Sequence, residues 1–190
     1  MLDLSRSCNY DEKHSETVAS LATQLFDSAK AVGLHDLGKE ERSLLRYAAL
    51  MHDIGDFLSF NDHHLHAHYV ISNAGLLGFD QKEIAIMANV ARFHRKKYPT
   101  KKSLKSTHLD EHSKTVVVIL AVFVRLAEKL DRSHCNLIKK VEFLNMEKDR
   151  VRLSLFSDSD CTMEEWSVLQ NSPAFYAAFR KKLDVHCVKP

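Results

Sequence analysis

The sequence predicts a mainly α-helical protein that ends in a small α+β appendage. Glycine and proline are scarce, with 5 and 3 among 190 residues, whereas a turn-rich β architecture needs more of both. Up to about residue 136 the apolar residues recur every three or four positions, as in a helix, and beyond it they alternate, as in a strand. Hydrophobic residues make up 45% of the chain, enough for a sizeable core. We therefore expect a helical domain over 1–136 and an α+β subdomain over 137–190.

Five helices account for the first domain, each indicated by an apolar stripe with start or stop residues around it. In the first, Val18, Leu21 and Leu25 share a face, and Gly33 follows as a stop. Asp62 is a candidate N-cap for the third. The expected spans are about 11–31, 39–51, 62–73, 81–94 and 111–130.

The appendage begins with two alternating segments, 141–144 and 151–155, on either side of a polar stretch. This pattern is typical of a β-hairpin. Residues 163–170 and 174–182 have a helical pattern, and 184–188 has the composition of a last strand. We therefore expect an α+β unit of the ferredoxin-like kind.

Charge and cysteine content exclude several classes of protein. The formal net charge of +2 gives no overall nucleic-acid signature. The cysteines are scattered without a Cys-x-x-Cys pair, so we expect isolated reduced thiols rather than a disulfide framework or a thiolate zinc site. The four are Cys8, Cys135, Cys161 and Cys187. The N-terminus has no signal-peptide pattern, and the longest apolar run, 115–124, is too short to cross a membrane. The expected setting is the cytoplasm, without membrane contact.

Metal-ligand residues fall at the end or on the inner stripe of three predicted helices. An apolar run ends in the adjacent pair His52 and Asp53, and imidazole with carboxylate suits a divalent metal. His14 extends the stripe of the first helix, and Asp131 extends that of the fifth. A carboxylate on an apolar stripe is costly unless it is paired or bound to a metal. Each residue alone has an ordinary structural explanation, but together they predict a metal site.

Four more histidines lie within six positions at the start of the third helix: His63, His64, His66 and His68. They cannot all point inward from one helix, and we expect His66 and either His63 or His64 to face the cleft. His94 ends the next helix. His64, His66 and His94 therefore come from neighbouring helices that could reach one cleft.

A basic segment, residues 92–105, surrounds His94. It holds seven cations and no acid: Arg92, Arg95, Lys96, Lys97, Lys101, Lys102 and Lys105. A solvated loop is the ordinary interpretation, but arginine and lysine beside a metal cleft would bind phosphate oxygens. Arg95 and Lys96 are the expected substrate-binding residues. No interleaved aromatic series accompanies them, so nucleic acid is not the expected partner.

The order His14, His52–Asp53, Asp131 resembles the pattern of the HD-domain superfamily of metal-dependent phosphohydrolases. Five blocks are similar, more closely, to the C-terminal HD region of the exopolyphosphatase/guanosine pentaphosphatase (Ppx/GppA) family. They are 14–27, 48–55, 63–66, 73–79 and 90–96. The resemblance implies an HD-type helical bundle in which His14, His52, Asp53 and Asp131 are metal ligands. It also implies that His64, His66 and His94 bind a second metal ion or contact phosphate, and the sequence does not decide between these roles.

The resemblance also implies a metal-dependent phosphohydrolase that acts on a phosphate ester or anhydride, such as a nucleotide or polyphosphate. His52 and Asp53 would be its catalytic residues. One or two divalent ions (Mn, Fe, Ni, Co, Zn or Mg) would activate water. One alternative is a non-catalytic module that binds polyphosphate or a guanosine alarmone for an associated catalytic domain. Another is a helical interaction domain with incidental histidines.

Full-length members of the family carry an actin-like phosphatase region ahead of this one, and this sequence lacks it. The family's polyphosphate-cleaving glutamate and phosphate-binding loops belong to that region and cannot be transferred to this chain. We expect either a standalone relative or a fragment of a longer protein. A homodimer is compatible with both.

Overall fold

The computed structural model of the chain describes residues 2–8, 10–100, 102–105 and 107–189. Over these ranges the chain forms eight helices and three strands. The helices are α1 (Leu2–Ser7), α2 (Glu12–Ala31), α3 (Lys39–Leu50), α4 (His63–Asn73), α5 (Gln81–Arg92), α6 (Glu111–Leu130), α7 (Thr162–Leu169) and α8 (Ser172–Phe179). The strands are β1 (Lys140–Met146), β2 (Arg150–Phe156) and β3 (Lys182–Val188). Every predicted element is confirmed, with ends shifted by a few residues, whereas the short α1 was not expected.

The two longest helices, α2 and α6, form the centre of the bundle. α2 packs on α3 and α6, while α5 packs on α3, α4 and α6. The predicted stripe of α6 is buried, since Leu120, Val124 and Ala127 are fully enclosed, and burial of such side chains is the main stabilising contribution. Among the described helices, none is long and apolar enough to cross a bilayer.

Side chains at the helix starts fix where the site residues lie. Asp11 caps α2, and its carboxylate accepts a hydrogen bond of 3.0 Å from the backbone nitrogen of His14. Asp62 occupies the predicted N-cap position of α4 but makes no side-chain capping bond. It has a left-handed φ of 59° and pairs with Lys96 instead. That pair connects the start of α4 with the basic segment.

The C-terminal unit is a ββααβ arrangement. β2 pairs antiparallel with β1 and parallel with β3, and α7 and α8 form the crossover between the parallel strands. The described residues hold three strands in the order β1-β2-β3, whereas a ferredoxin-like unit needs a βαββαβ order with four. The ferredoxin-like expectation is therefore wrong for this part of the chain. β1 packs on α2, and α6 packs on α7 and α8, so one hydrophobic core serves both predicted domains.

Two of the four cysteines form a disulfide. Cys161, just before α7, is bonded to Cys187 in β3, and their Cα atoms lie 6.1 Å apart. Cys8 and Cys135 are free. The expectation of four isolated thiols is wrong, because the crossover brings together two residues whose separation of 26 positions follows no cysteine motif.

Gly55 lets α4 lie directly against the turns that follow α3. A Cβ atom on Gly55 would lie 2.1 Å from the backbone oxygen of His63 and 2.6 Å from the backbone nitrogen of Ala67. Backbone atoms cannot move aside as a flexible side chain can, so only glycine allows this approach. The contact places the first turn of α4 beside His52 and Asp53.

We predict that Gly55→Ala lowers the free energy of unfolding by about 3 kcal/mol, because the added methyl group must push α4 away from the turn. The measurement is urea denaturation followed by circular dichroism. Gly38→Ala is the matched control: the nearest atom there is the flexible Glu41 carboxylate at 3.3 Å, and a cost below about 1 kcal/mol is expected. Equal effects of the two substitutions would contradict this account.

His35, in the loop between α2 and α3, is built into the core as a neutral imidazole. Its ring centroid lies 4.4 Å from that of Phe26 and 5.6 Å from that of Phe123. Nε2 donates to the carbonyl oxygen of Phe26, and Nδ1 accepts from the backbone nitrogen of Leu37. Burial lowers the pKa of His35 below its ordinary value. Protonation would also remove the acceptor that Leu37 uses.

We predict a loss of stability in acid that depends on His35. Below about pH 6.5 His35 binds a proton in the unfolded chain but not in the folded one. The free energy of unfolding therefore falls by up to about 1.4 kcal/mol per pH unit as the pH is lowered. Thermal denaturation between pH 7 and pH 5 measures this, with His35→Gln as the comparison. The variant should lose less stability over this interval, and parallel curves for the two proteins would show that His35 does not contribute.

Candidate metal centre

Four side chains from three helical segments meet inside the bundle. His14 is the third residue of α2, His52 and Asp53 follow α3, and Glu128 lies in the last turn of α6. One ligand atom from each lies within 4.8 Å of all the others. His14 and His52 are buried, while the carboxylate side chains are 21% and 18% exposed. The group is therefore enclosed by protein, with its carboxylates reaching toward solvent.

The polar atoms of this group converge on one small volume. Glu128 Oε2 lies 3.1 Å from His14 Nε2 and 3.2 Å from His52 Nε2. Asp53 Oδ2 lies 3.2 Å from His52 Nε2. His52 Nδ1 donates to the backbone oxygen of Ala49 at 2.7 Å, so Nε2 faces the centre and would present its lone pair to a metal ion once its proton is lost. An anchored imidazole of this kind is the usual form of a histidine that binds a metal.

Asp131 lies behind His14 and outside the ligand group. Its Oδ2 accepts a hydrogen bond of 2.9 Å from His14 Nδ1, and its Oδ1 accepts one from the backbone nitrogen of Asn136. Both contacts face away from the point where the other atoms meet. The carboxylate that the structure groups with His14 and His52 belongs to Glu128, which the sequence analysis missed. The one sequence signal for Glu128 is its position three residues before Asp131, since residues three positions apart share a helix face.

A second group of possible ligands shares Asp53. Its Oδ1 lies 3.1 Å from His63 Nε2 and 3.3 Å from His94 Nε2. His94 Nδ1 donates to the backbone oxygen of Ala91, so this ring is anchored in the same manner as His52. Asp53 therefore offers one oxygen to each group and joins them.

The structure brings together only some of the histidines that the sequence proposed. His94 belongs to the second group together with His63. The sequence had left open whether His63 or His64 faces the cleft. His64 and His66 lie outside both ligand groups of the described residues, each with an Nδ1 that has no hydrogen-bond partner. His66 packs against the Gly55 turn, and His64 lines a neighbouring cavity.

The histidines of the first group form ion pairs with the carboxylates around them. Burial opposes the charge on His14, but hydrogen bonds to Asp131 and Glu128 outweigh it and raise the pKa of His14 to about 9. Burial also opposes charge on His52, and the Asp53 and Glu128 carboxylates raise its pKa well above the ordinary value. The same contacts hold the pKa of both carboxyls well below the ordinary range. The two rings thus carry protons at neutral pH where a metal ion would carry the positive charge.

The donor atoms fit a divalent metal ion. Asp53 Oδ1 is buried and makes no well-oriented hydrogen bond, although two ring nitrogens lie close to it. Short distances without hydrogen-bond geometry are expected where groups converge on an ion rather than on each other. Burial and the charge of His52 lower the pKa of His94 to about 3, so its ring is neutral. Its Nε2 lies 3.0 Å from His63 Nε2, and an ion between the two rings would take the place of that hydrogen bond. Imidazole with carboxylate suits Mn, Fe, Co, Ni or Zn.

A basic cavity of about 300 Å³ adjoins the second group. Arg95 and Lys96, the predicted substrate-binding residues, both line it. Arg95 Nη1 lies 3.2 Å from the ring nitrogens of His63, its guanidinium stacks over Phe60 at 5.3 Å, and it forms no ion pair with a described carboxylate. Lys96 pairs with Asp62 at the surface. Of the other predicted cations, Lys101 lies outside the described residues.

Arg125 holds the segment that carries His94 and Arg95. This α6 side chain is buried, and it donates to the backbone oxygens of Phe93 at 2.9 Å and of Lys96 at 3.1 Å. Its Nε donates to the side chain of Asn171, between α7 and α8. One guanidinium therefore connects the basic segment with the C-terminal unit.

Sequence comparison identifies the family of this chain. Residues 1–172 match the family of the Ppx/GppA phosphatase, domain III. The chain belongs to this family. A relative from Pseudoalteromonas translucida (strain TAC 125), guanosine-5'-triphosphate,3'-diphosphate pyrophosphatase, is 32% identical over 89 residues. That match covers 45% of this chain and 17% of the relative, so the chain corresponds to a minor part of that protein. The Ppx/GppA resemblance is thereby confirmed.

We predict that Glu128 contributes more to metal affinity than Asp131. Glu128→Gln removes a charge from the ligand group and should weaken Mn²⁺ or Zn²⁺ binding by more than about hundredfold. Asp131→Asn perturbs only the partner of His14 and should cost about ten- to hundredfold. Competition with a fluorescent chelator measures both, with circular dichroism to check folding. The opposite ranking would restore Asp131 as the ligand predicted from sequence.

Proposed function

We propose that this Ppx/GppA-family chain is an HD-type metal-dependent phosphohydrolase. The observation that carries the proposal is the position of Asp53, whose two oxygens face different imidazole groups beside a basic cavity. The substrate class is a phosphate ester or anhydride, such as a nucleotide or polyphosphate. Hydrolysis of such bonds needs a water to be activated and negative charge to be neutralised, and this arrangement offers groups for both.

His14, His52, Asp53 and Glu128 would hold the first ion, and Asp131 would orient His14. Asp53, His63 and His94 would hold a second ion where two are bound. Mn, Fe, Ni, Co, Zn and Mg are the candidates. An ion in this position supplies Lewis acidity, which polarises a phosphoryl oxygen and lowers the pKa of water.

The residues of the chain bind and orient the substrate. Arg95 has no carboxylate partner among the described residues, so its charge is free to bind phosphoryl oxygens and to offset charge in the transition state. Phe60 and His63 hold its guanidinium at the edge of the second ligand group. Lys96 can leave its exposed pair with Asp62 for little cost and add a second positive charge. Burial lowers the pKa of His64 to about 4, so this ring is neutral where it lines the cavity.

The second candidate function is a non-catalytic module that binds polyphosphate or a guanosine alarmone. The ion pairs within the first group favour it, since they satisfy His14, His52 and Glu128 without any ion. The small share of the longer relative that the chain matches favours it as well. For both candidate functions, we propose that the protein is cytoplasmic and forms a homodimer.

We predict that purified protein binds a divalent ion and hydrolyses at least one member of a panel of phosphomonoesters, nucleoside polyphosphates and polyphosphate. Asp53→Asn should lower metal-dependent kcat by at least about a thousandfold, because one carboxylate serves both groups. Arg95→Gln should lower kcat/KM by about a hundredfold, as loss of one charge-stabilising donor does in other enzymes. Metal analysis and a phosphate-release assay are the measurements.

Arg42→Gln is the control, since Arg42 is an exposed arginine that pairs with Asp27 at the surface, and its activity should match that of the unchanged protein. Tight binding of polyphosphate or a guanosine alarmone without turnover of any substrate would reject the enzyme and support the binding module. Turnover that is unchanged in Asp53→Asn would reject the metal centre as its source.

A further inference from the structure

A second cavity, of about 530 Å³, lies between α4, α5 and the segment before α6. His68 of α4, Asn89 and Arg92 of α5, and Leu109 before α6 are among its lining residues. None of the residues in the two ligand groups lines it, and it shares only Arg92 with the basic cavity beside Arg95. Its volume is within the range of small-molecule sites.

Asn89, one of the lining residues of this cavity, has an unsatisfied polar atom. The side chain is 3% exposed, and its Nδ2 donates to the backbone oxygen of Ala85 at 2.8 Å. This bond orients the amide, and Oδ1 is left buried without a hydrogen-bond partner. A buried acceptor without a donor is costly and is seldom kept without a reason. A ligand with an N–H or O–H group would satisfy it.

Arg92 presents an unpaired positive charge on the same face of α5. It is half-buried, its guanidinium lies over the ring of Phe93 at 5.4 Å, and no described carboxylate forms an ion pair with it. The carboxylate among the lining residues, Asp110, is already engaged by Lys82 at 3.1 Å and by the backbone nitrogen of Ser113. The charge of Arg92 is therefore available to an anion.

His68 faces these two residues from α4. It is half-buried and has no hydrogen-bond partner among the described residues. Burial and the nearby charge of Arg92 keep its ring neutral by lowering its pKa, so it offers one donor and one acceptor. Leu109 and Ala85 add apolar wall between the polar groups.

We propose that this cavity is a second ligand site, separate from the metal centre, for a small organic anion that carries an N–H or O–H donor, with nucleoside monophosphates as the probes. Its anionic group binds Arg92, the N–H or O–H donates to Asn89 Oδ1, and its apolar part packs on Leu109 and Ala85. Inorganic phosphate lacks the apolar part, so it satisfies only part of the site.

The test is calorimetric titration of the full chain with AMP, GMP and inorganic phosphate, with a chelator present to keep metal from the other site. We expect saturable binding of at least one nucleotide and at least tenfold weaker binding of inorganic phosphate. Asn89→Leu and Arg92→Gln should each weaken nucleotide binding at least tenfold. Arg95→Gln, which changes only the neighbouring cavity, should leave it unchanged. Asn89→Leu should change the melting temperature little, because the lost hydrogen bond to Ala85 is offset by the removal of an unpaired oxygen.

The imidazole NMR signal of His68 gives a second measurement that needs no variant, and it should shift on addition of nucleotide. Absence of binding by both nucleotides overturns the proposal. A loss of binding in Arg95→Gln but not in Asn89→Leu assigns the nucleotide to the other cavity and also overturns it. Equal affinity for inorganic phosphate rejects the organic ligand class.

Discussion

Buried charge is the constraint on which the rest of this structure depends. His14, His52, Asp53 and Glu128 lie in an apolar helical bundle, where burial opposes every one of their charges. Each charge persists only because an opposite one lies beside it, and loss of one partner would leave an uncompensated charge in the interior. The helices that deliver these residues must therefore keep a fixed relation to one another. A bound metal ion would also neutralise the buried carboxylates, because its positive charge would replace that of the protons on the two rings.

Local signals explain why part of the site could be predicted. His14 extends a helical stripe, and His52 and Asp53 end one, so the sequence alone indicates that they point inward. The prediction of Asp131 came from extending the stripe of α6 by one step beyond Ala127. Asp131 is the C-cap, with φ of −125° and ψ of 29°, so it leaves the helical path. Glu128 is still helical and faces the centre. Apart from its spacing of three positions from Asp131, a glutamate near a helix end looks in sequence like an ordinary surface charge.

Contacts between distant segments explain what could not be predicted. Which histidine of α4 faces Asp53 depends on how that helix packs against Gly55, and one sequence does not reveal the packing of two segments. Alternating residues predicted the strands of the C-terminal unit, but not that β3 pairs in parallel with β2. The disulfide could not be predicted for the same reason, because its two cysteines meet only after the crossover has formed. The secondary structure was thus predictable where it is local, and the pairing of its elements was not.

Arg125 connects the two sides of the domain boundary that the sequence predicts at residue 136. The sequence divides there into a helical part and an α+β part, but this guanidinium binds the backbone of the basic segment and Asn171 at the same time. A chain cut at the boundary would lose Asn171 and leave part of a buried cation unsatisfied. Through Arg125 the C-terminal unit therefore fixes the backbone on either side of Arg95, so a disturbance far from the candidate metal ligands can move Arg95 without altering those ligands.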